Sequence, residues 1–339
     1  MSKDLSPEAI LGQLETPDLG PYYLFHGPSD FLKENTIAKV KRKILDPATA
    51  DFNLQVFYAD ETTPGQVLEA ACSVPFMADR RIVIVRRTES YRKSDQERFL
   101  PYLDNPATST CLLLVASTVD FRQPLFARIR KKGRSVFFAP LKEARIIPWL
   151  RSTAREMGLD ISPEACAYLY QIVGSSLMEL YGELEKLSVR YGKSPVGIEQ
   201  VKEMAAKTRA HSIFELMNYI SKKDPGKALN VLHKLLAQGG REAALRILGM
   251  LNRQLRLLWQ VKAMRERGKE RDIPTALGIP PFFARRLRDQ GDGWTEAELR
   301  EFLESLCLAD TRLKSGSRED IILDHLIMSL CKGEAQEEI

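Results

Sequence analysis

Histidine, tryptophan and cysteine are all scarce in this 339-residue chain, at four, three and five residues. Cys72, Cys111, Cys166, Cys307 and Cys331 contain no C-x-x-C pair, and an odd, scattered set fits neither a disulfide framework nor a zinc site. They read as small buried hydrophobes. His26, His211, His233 and His325 show no H-E-x-x-H or similar spacing, so neither a metal nor a cofactor is expected. Long apolar runs are missing too. The longest stretch free of charge, between Asp104 and Asp120, is shorter than the ~18 apolar residues of a membrane span and contains Pro106, Ser109 and Thr110. The opening Met1-Ser2-Lys3-Asp4 lacks the basic-then-apolar pattern of a secretory leader. A cytoplasmic protein without membrane contact is the expectation.

What is present is ordinary globular composition, 44% hydrophobic and 28% charged, over a length that suits two or three domains. The net charge of +5 hides a segregation. Lys and Arg outnumber Asp and Glu by 19 to 17 in residues 1–140 and equal them at 9 each in 141–208. In residues 209–288 the counts are 17 to 6, and in 289–339 they reverse to 5 against 13. A basic block beside an acidic one points to a polyanion or a charged neighbouring subunit. A solvated helical surface with ordinary ion pairs is the plain alternative.

Strand and helix signals alternate through the first 140 residues. Apolar or β-branched runs fall at Tyr22–Phe25, Leu54–Tyr58, Ile82–Val85, Cys111–Ala116 and Ser135–Phe138, with helical patterns near 31–44, 64–72, 93–103 and 124–131 between them. Ile82-Val83-Ile84-Val85 and Leu112-Leu113-Leu114-Val115 are apolar on both faces, as in strands sandwiched between helix layers. An α/β domain with a largely parallel sheet is predicted. After Pro140 strand signals stop. Helices are predicted over 142–157, from Ser162-Pro163-Glu164 onward, over 176–190 and over 198–206, a small helical domain. From about His211 to Cys331 the apolar period is again helical, and Gly333 to Ile339 reads as a frayed acidic tail. The expected domains are 1–140, 141–208 and 209–339.

The first βα turn, His26-Gly27-Pro28-Ser29-Asp30, stands where a P-loop would cradle phosphates. It has one glycine and no G-K-[ST], and the Asp30 carboxylate would repel phosphate. Gly27, Ser29 and Asp30 therefore form a degenerate P-loop that is not expected to bind nucleotide, with Ser29 or Asp30 as a helix N-cap. The fourth strand ends in Leu114-Val115-Ala116-Ser117-Thr118, without the acidic pair an ATPase needs. No catalytic residue is assigned. An acidic cluster at Asp51, Asp60 and Glu61 would suit a nuclease, but solvated loop charges are the simpler reading.

One segment departs from this regularity. In Ala71-Cys72-Ser73-Val74-Pro75-Phe76-Met77-Ala78-Asp79-Arg80 a helix runs into Pro75, and the residue before a proline is biased away from helix. The bend can turn Phe76 and Met77 outward as anchors for a partner's apolar pocket. On pattern alone, Phe76 in the local core is the plainer reading. Arg80 and Arg81, which follow, are candidate ion-pair or DNA residues, with a plainer reading as basic residues that deter edge pairing of the next strand.

Taken in order, several segments resemble one family. They are Tyr23-Leu24-Phe25-x-Gly27-x-x-x-Phe31-Leu32, Ser73-x-Pro75-Phe76-x-x-x-Arg80-Arg81-x-Val83, and Gly182-Glu183-Leu184-Glu185-Lys186-Leu187. Ile213-Phe214-x-Leu216, Arg253-Gln254-x-Arg256 and Ala309-Asp310-x-x-x-Lys314-Ser315-Gly316 continue the series. The chain resembles the delta subunit of the clamp loader of bacterial DNA polymerase III along essentially its whole length. That resemblance implies a RecA-like, AAA+-related first domain without a working nucleotide site, a helical lid and a C-terminal helical collar. It implies assembly with the ATPase (gamma/tau) and delta-prime subunits, binding and opening of the sliding clamp (beta), and primed DNA within the assembled complex. An active AAA+ ATPase of replication or repair is the alternative. By the same resemblance, Val74, Pro75, Phe76 and Met77 are the clamp-binding residues, with Pro75 where the best-known version has leucine. Arg246, Arg253, Arg256 and Lys314 are candidate contacts to DNA or a neighbouring subunit.

Overall fold

A computed structural model describes residues 4–13, 19–205, 210–237, 240–277, 279 and 281–331. The chain falls into two compact units, Met1–Leu141 and Lys142–Ile339. The acidic tail expected from Gly333 to Ile339 lies outside the described residues.

Five parallel strands form the sheet of the first unit: β1 Tyr22–His26, β2 Leu54–Tyr58, β3 Arg81–Arg86, β4 Thr110–Val115 and β5 Ser135–Phe137. Their order is β2-β3-β4-β1-β5, with Tyr22 opposite Leu112, Leu24 opposite Ser135 and Leu54 opposite Ile82. The double-sided apolar runs are the interior strands, and alternate residues feed two cores. Leu24, Val83, Val85, Leu112 and Leu114 face the helices Pro64–Cys72, Leu100–Asp104 and Pro124–Lys131. Phe25, Ile82, Ile84, Leu113 and Val115 face Pro7–Gln13 and Asp30–Ile44. The two edge strands are the open ones, β2 exposing Val56 and Tyr58 and β5 exposing Phe137.

Two readings need correction here. The helix expected over 93–103 is two short ones, Lys93–Glu97 and Leu100–Asp104, divided where Pro101 must sit in a first turn. Arg81 does not guard an edge: β3 is interior, and Arg81 is buried, its Nη2 donating to Gln55 Oε1 of β2 at 2.8 Å.

The second unit is helical. Ser162 and Ser176 cap the helices Pro163–Val173 and Leu177–Tyr191, their hydroxyls accepting from Ala165 N–H at 3.1 Å and Glu179 N–H at 3.4 Å. The long helix Gly240–Glu266 packs against Pro281–Gly291 and Glu296–Lys314. Of the five cysteines, Cys111, Cys166 and Cys331 are buried, and burial pushes the Cys111 thiol up to about 12. Cys72 and Cys307 are exposed: each lies on the outer face of its helix, where the apolar neighbours that suggested burial point the other way. No described helix is long and apolar enough to cross a membrane.

Candidate functional site

The helix Pro64–Cys72 begins with a capping box between Thr63 and Gln66 and carries Pro64 in its first turn. Val67, Ala70 and Ala71 anchor it to the sheet. It stops at Ser73, whose backbone is extended and whose hydroxyl donates to the Glu69 carbonyl at 2.8 Å, and Val74 lies outside the helix ahead of Pro75. The next residues face water. Val74 is 86% exposed, Phe76 52% and Met77 82%, with Pro75 half-buried between them. Three large apolar side chains thus stand out from one turn.

That turn is not slack. Phe76 N–H donates to Asn53 Oδ1, and Asn53 Nδ2 donates to the Phe76 carbonyl, both at 2.8 Å. Asn53 is 1% exposed and ends the short helix Ala50–Asn53; its Nδ2 also donates to Thr49 O at 3.1 Å. Phe52, on the same helix, is 64% exposed, its ring 5.0 Å from that of Phe76 and tilted by 46°. Met77 holds a left-handed φ of +47°, unusual for a residue with a side chain. Sequence reasoning missed Phe52 and Asn53. Their signal is topological: β2 and β3 are parallel neighbours, so the residues that enter β2 lie beside the turn that enters β3.

The degenerate P-loop is tightly packed. Gly27 has φ of +118°, and Ser29 N–H donates to the Phe138 carbonyl at 3.2 Å. Ser29 sits at the N-cap position of Asp30–Ile44 without a side-chain capping bond. Asp30 instead pairs with Lys33 at 2.9 Å, and the buried Lys33 ammonium donates to the Ala116 carbonyl at 3.1 Å. A cation of the chain's own thus fills the ground between the first helical turn and the end of β4.

Nearby, His26 is buried between the rings of Phe121 and Phe137. Asp4 lies 3.7 Å from it, too far for a hydrogen bond. Burial therefore prevails and draws the imidazole pKa below its ordinary 6.5, against the opposing pull of Asp4. The unfolded chain then binds the proton more readily, so stability should fall as pH drops below about 6.5 and toward the lowered folded value. Melting curves from pH about 7.5 to about 5.5 should show this fall for the first unit, and it should shrink in His26→Gln.

Two family descriptions match the chain: "DNA polymerase III, delta subunit" over residues 23–138 and "DNA polymerase III delta subunit, C-terminal domain" over 210–330. The chain belongs to the DNA polymerase III delta subunit family. The DNA polymerase III subunit delta of Bacillus subtilis (strain 168) is 27% identical over 332 residues, 94% of this chain and 95% of the relative. A protein of Aquifex aeolicus (strain VF5) named "Probable DNA polymerase III subunit delta" is 24% identical over 312 residues, 87% and 85% of the two chains. A solved structure of a Bacillus subtilis DNA clamp loader delta protein matches at a TM-score of 0.57 with 26% identity, covering 96% of this chain and all of that one. The first unit is thus an α/β domain built on a five-stranded parallel sheet, and its exposed turn lies inside the first matched segment.

The four basic candidates are placed unequally. Arg246 pairs with Glu179 at 3.0 Å. Arg253 donates through Nη1 to the Tyr170 carbonyl at 2.9 Å, with its guanidinium 3.8 Å from the centre of the Tyr170 ring. Both tie the long helix Gly240–Glu266 to the helices Leu177–Tyr191 and Pro163–Val173 of the same unit. Lys314 pairs with Asp310 at 2.6 Å one helical turn away, and Arg256 is exposed. Of the acidic cluster, Asp60 is held by Arg87 at 2.7 Å.

Proposed function

We propose that this delta subunit grips the sliding clamp through Val74, Pro75, Phe76 and Met77 and opens it at one interface, so that it can be loaded on primed DNA. The observation that carries the reading is the exposure of three large apolar side chains on one hydrogen-bonded turn. Exposed apolar anchors on an ordered backbone fit a preformed pocket and lose little freedom on docking.

Magnitudes set how far the turn can go alone. Burying a large apolar side chain is worth about 1.5–3 kcal/mol, so the three residues, scaled by their exposure, supply about 3–7 kcal/mol. Shifting a clamp from mostly closed to mostly open needs about 5.5 kcal/mol of differential affinity, before the cost of association is met. Further contacts and sister subunits are therefore required. In this proposal ATP-driven (gamma/tau) subunits and delta-prime expose or hide the turn, and polymerisation belongs to another subunit. Residues 141–208 act as lid and 209–339 as collar within a cytoplasmic loader. Arg256 and its basic neighbours face DNA or a subunit, and any DNA contact should weaken steeply with salt.

The test is binding of the purified chain to its cognate sliding clamp. Phe76→Ala is expected to weaken it about tenfold or more, a change of about 1.4 kcal/mol. Affinity indifferent to Phe76 would remove the turn from the interface. ATP hydrolysis by the purified chain would favour an active motor instead.

A further inference from the structure

We propose that the clamp-binding element is made of two segments distant in sequence, with Asn53 as its positioning residue and Phe52 as a second contact ring beside Phe76. The proposal rests on the reading of Val74–Met77 as the turn that grips the clamp.

An apolar turn in water tends to fold its side chains back onto itself, and a docking element must resist that collapse. Asn53 supplies the resistance. Its carboxamide copies a peptide group, accepting from Phe76 N–H and donating to the Phe76 carbonyl at 2.8 Å each, so both polar groups of one residue are fixed by one side chain. Aspartate can only accept, glutamine is one methylene too long, and alanine does neither. The second hydrogen of Nδ2 goes to Thr49 O at 3.1 Å, which pins the carboxamide to its own helix. That helix leads directly into β2, whose register against β3 sets Leu54 opposite Ile82. Phe76 is thereby referenced to the sheet rather than to the loop.

The same short helix carries Phe52. Its ring is exposed, lies 5.0 Å from Phe76 and is tilted by 46°, within the range of favourable aromatic pairs. A pocket that takes Phe76 must meet Phe52 at its rim, so the apolar footprint runs on from the turn onto Ala50–Asn53. The occupant is the clamp's apolar pocket, because Phe52 continues the same surface without a break.

Clamp titration of the full chain tests this. Phe52→Ala should weaken binding roughly fivefold with an unchanged melting temperature, since the side chain is exposed. Asn53→Ala should weaken it about tenfold and Asn53→Asp at least as much, because aspartate keeps the bond from Phe76 N–H but sets an acceptor oxygen against the Phe76 and Thr49 carbonyls. Placed in the Phe76→Ala background, Asn53→Ala should cost nothing further, the signature of a residue that acts through Phe76. If Phe76→Ala weakens binding while Phe52→Ala and Asn53→Ala leave it at wild type, the two-segment element is wrong and the gripping turn stands. Full additivity of Asn53→Ala with Phe76→Ala reduces Asn53 to a general structural role and overturns its assignment. Indifference to Phe76→Ala removes both readings. If Asn53→Ala does not fold, hydrogen exchange of the Phe76 amide in the native protein decides: protection is expected, and exchange at the free-peptide rate overturns the positioning role.

Discussion

Gly27→Ala is expected to destabilise the first unit by about 3 kcal/mol, lowering its melting temperature by roughly 10 °C. The φ of +118° at Gly27 lies outside the regions open to residues with a side chain. A Cβ there would stand 2.6 Å from the Phe138 carbonyl oxygen and 3.0 Å from the Phe137 ring. The backbone has no easy retreat. Phe138 N–H donates to the His26 carbonyl at 2.8 Å, and the Phe138 carbonyl accepts from Ser29 N–H, so moving either strand breaks the β1–β5 closure. The measurement has a convenient separation. Trp149, Trp259 and Trp294 all lie in residues 142–339, so tryptophan fluorescence follows the second unit while far-UV circular dichroism follows both. The dichroism transition of the first unit should move, and a shift worth less than about 1 kcal/mol would show that the turn can relax.

Arg253→Ala should cost the second unit about 2–3 kcal/mol, visible in its tryptophan transition. The substitution removes a charge-assisted hydrogen bond worth about 1.5–3 kcal/mol, although the Tyr170 carbonyl keeps its bond from Gly174 N–H at 3.0 Å. It also removes the guanidinium stacked on the Tyr170 ring, worth about 0.5–2 kcal/mol. Against these stands the burial that lowers the Arg253 pKa, a desolvation cost that the variant escapes. The contact terms are larger, so the net sign is destabilising. Arg253→Met, which refills the space without the charge, should lose only about 1 kcal/mol. If Arg253→Ala leaves stability unchanged but weakens DNA binding by the assembled loader, Arg253 belongs to the nucleic-acid surface after all.

Parts of this architecture are legible in the sequence for plain physical reasons. Strands buried on both faces must be apolar at every position, and Ile82–Val85 and Leu112–Val115 are. Pro75 after a helix announces a bend that can turn Phe76 and Met77 outward; both are exposed, against the plainer pattern reading of Phe76 as core, and Val74 is exposed with them. What escapes is whatever depends on pairing across the sheet. Asn53 and Phe52 precede a strand 23 residues upstream of the turn they meet, and nothing local marks the encounter. Charge counting fails in a related way. The basic block of 209–288 includes Arg246 and Arg253, which bind Glu179 and Tyr170, so the surplus overstates what is free for a partner. The broken helix of 93–103 was concealed because Pro101 suits a first turn as well as it breaks an interior.

The strand order has a consequence for how the chain is made. β1 leaves the ribosome before the other four strands, yet its neighbours are β4 and β5, so Tyr22 waits for Leu112 and Leu24 for Ser135. At synthesis rates of about 5–20 residues per second the wait is on the order of ten seconds, during which Tyr22–Phe25 has no partner strand. Only β2 and β3 can pair early, and they form the side of the sheet that carries the exposed turn. The nascent first unit therefore shows apolar surface of two kinds, one that folding later hides and one that the finished molecule keeps, and holdase chaperones should compete for both until Ser135–Phe137 closes the sheet.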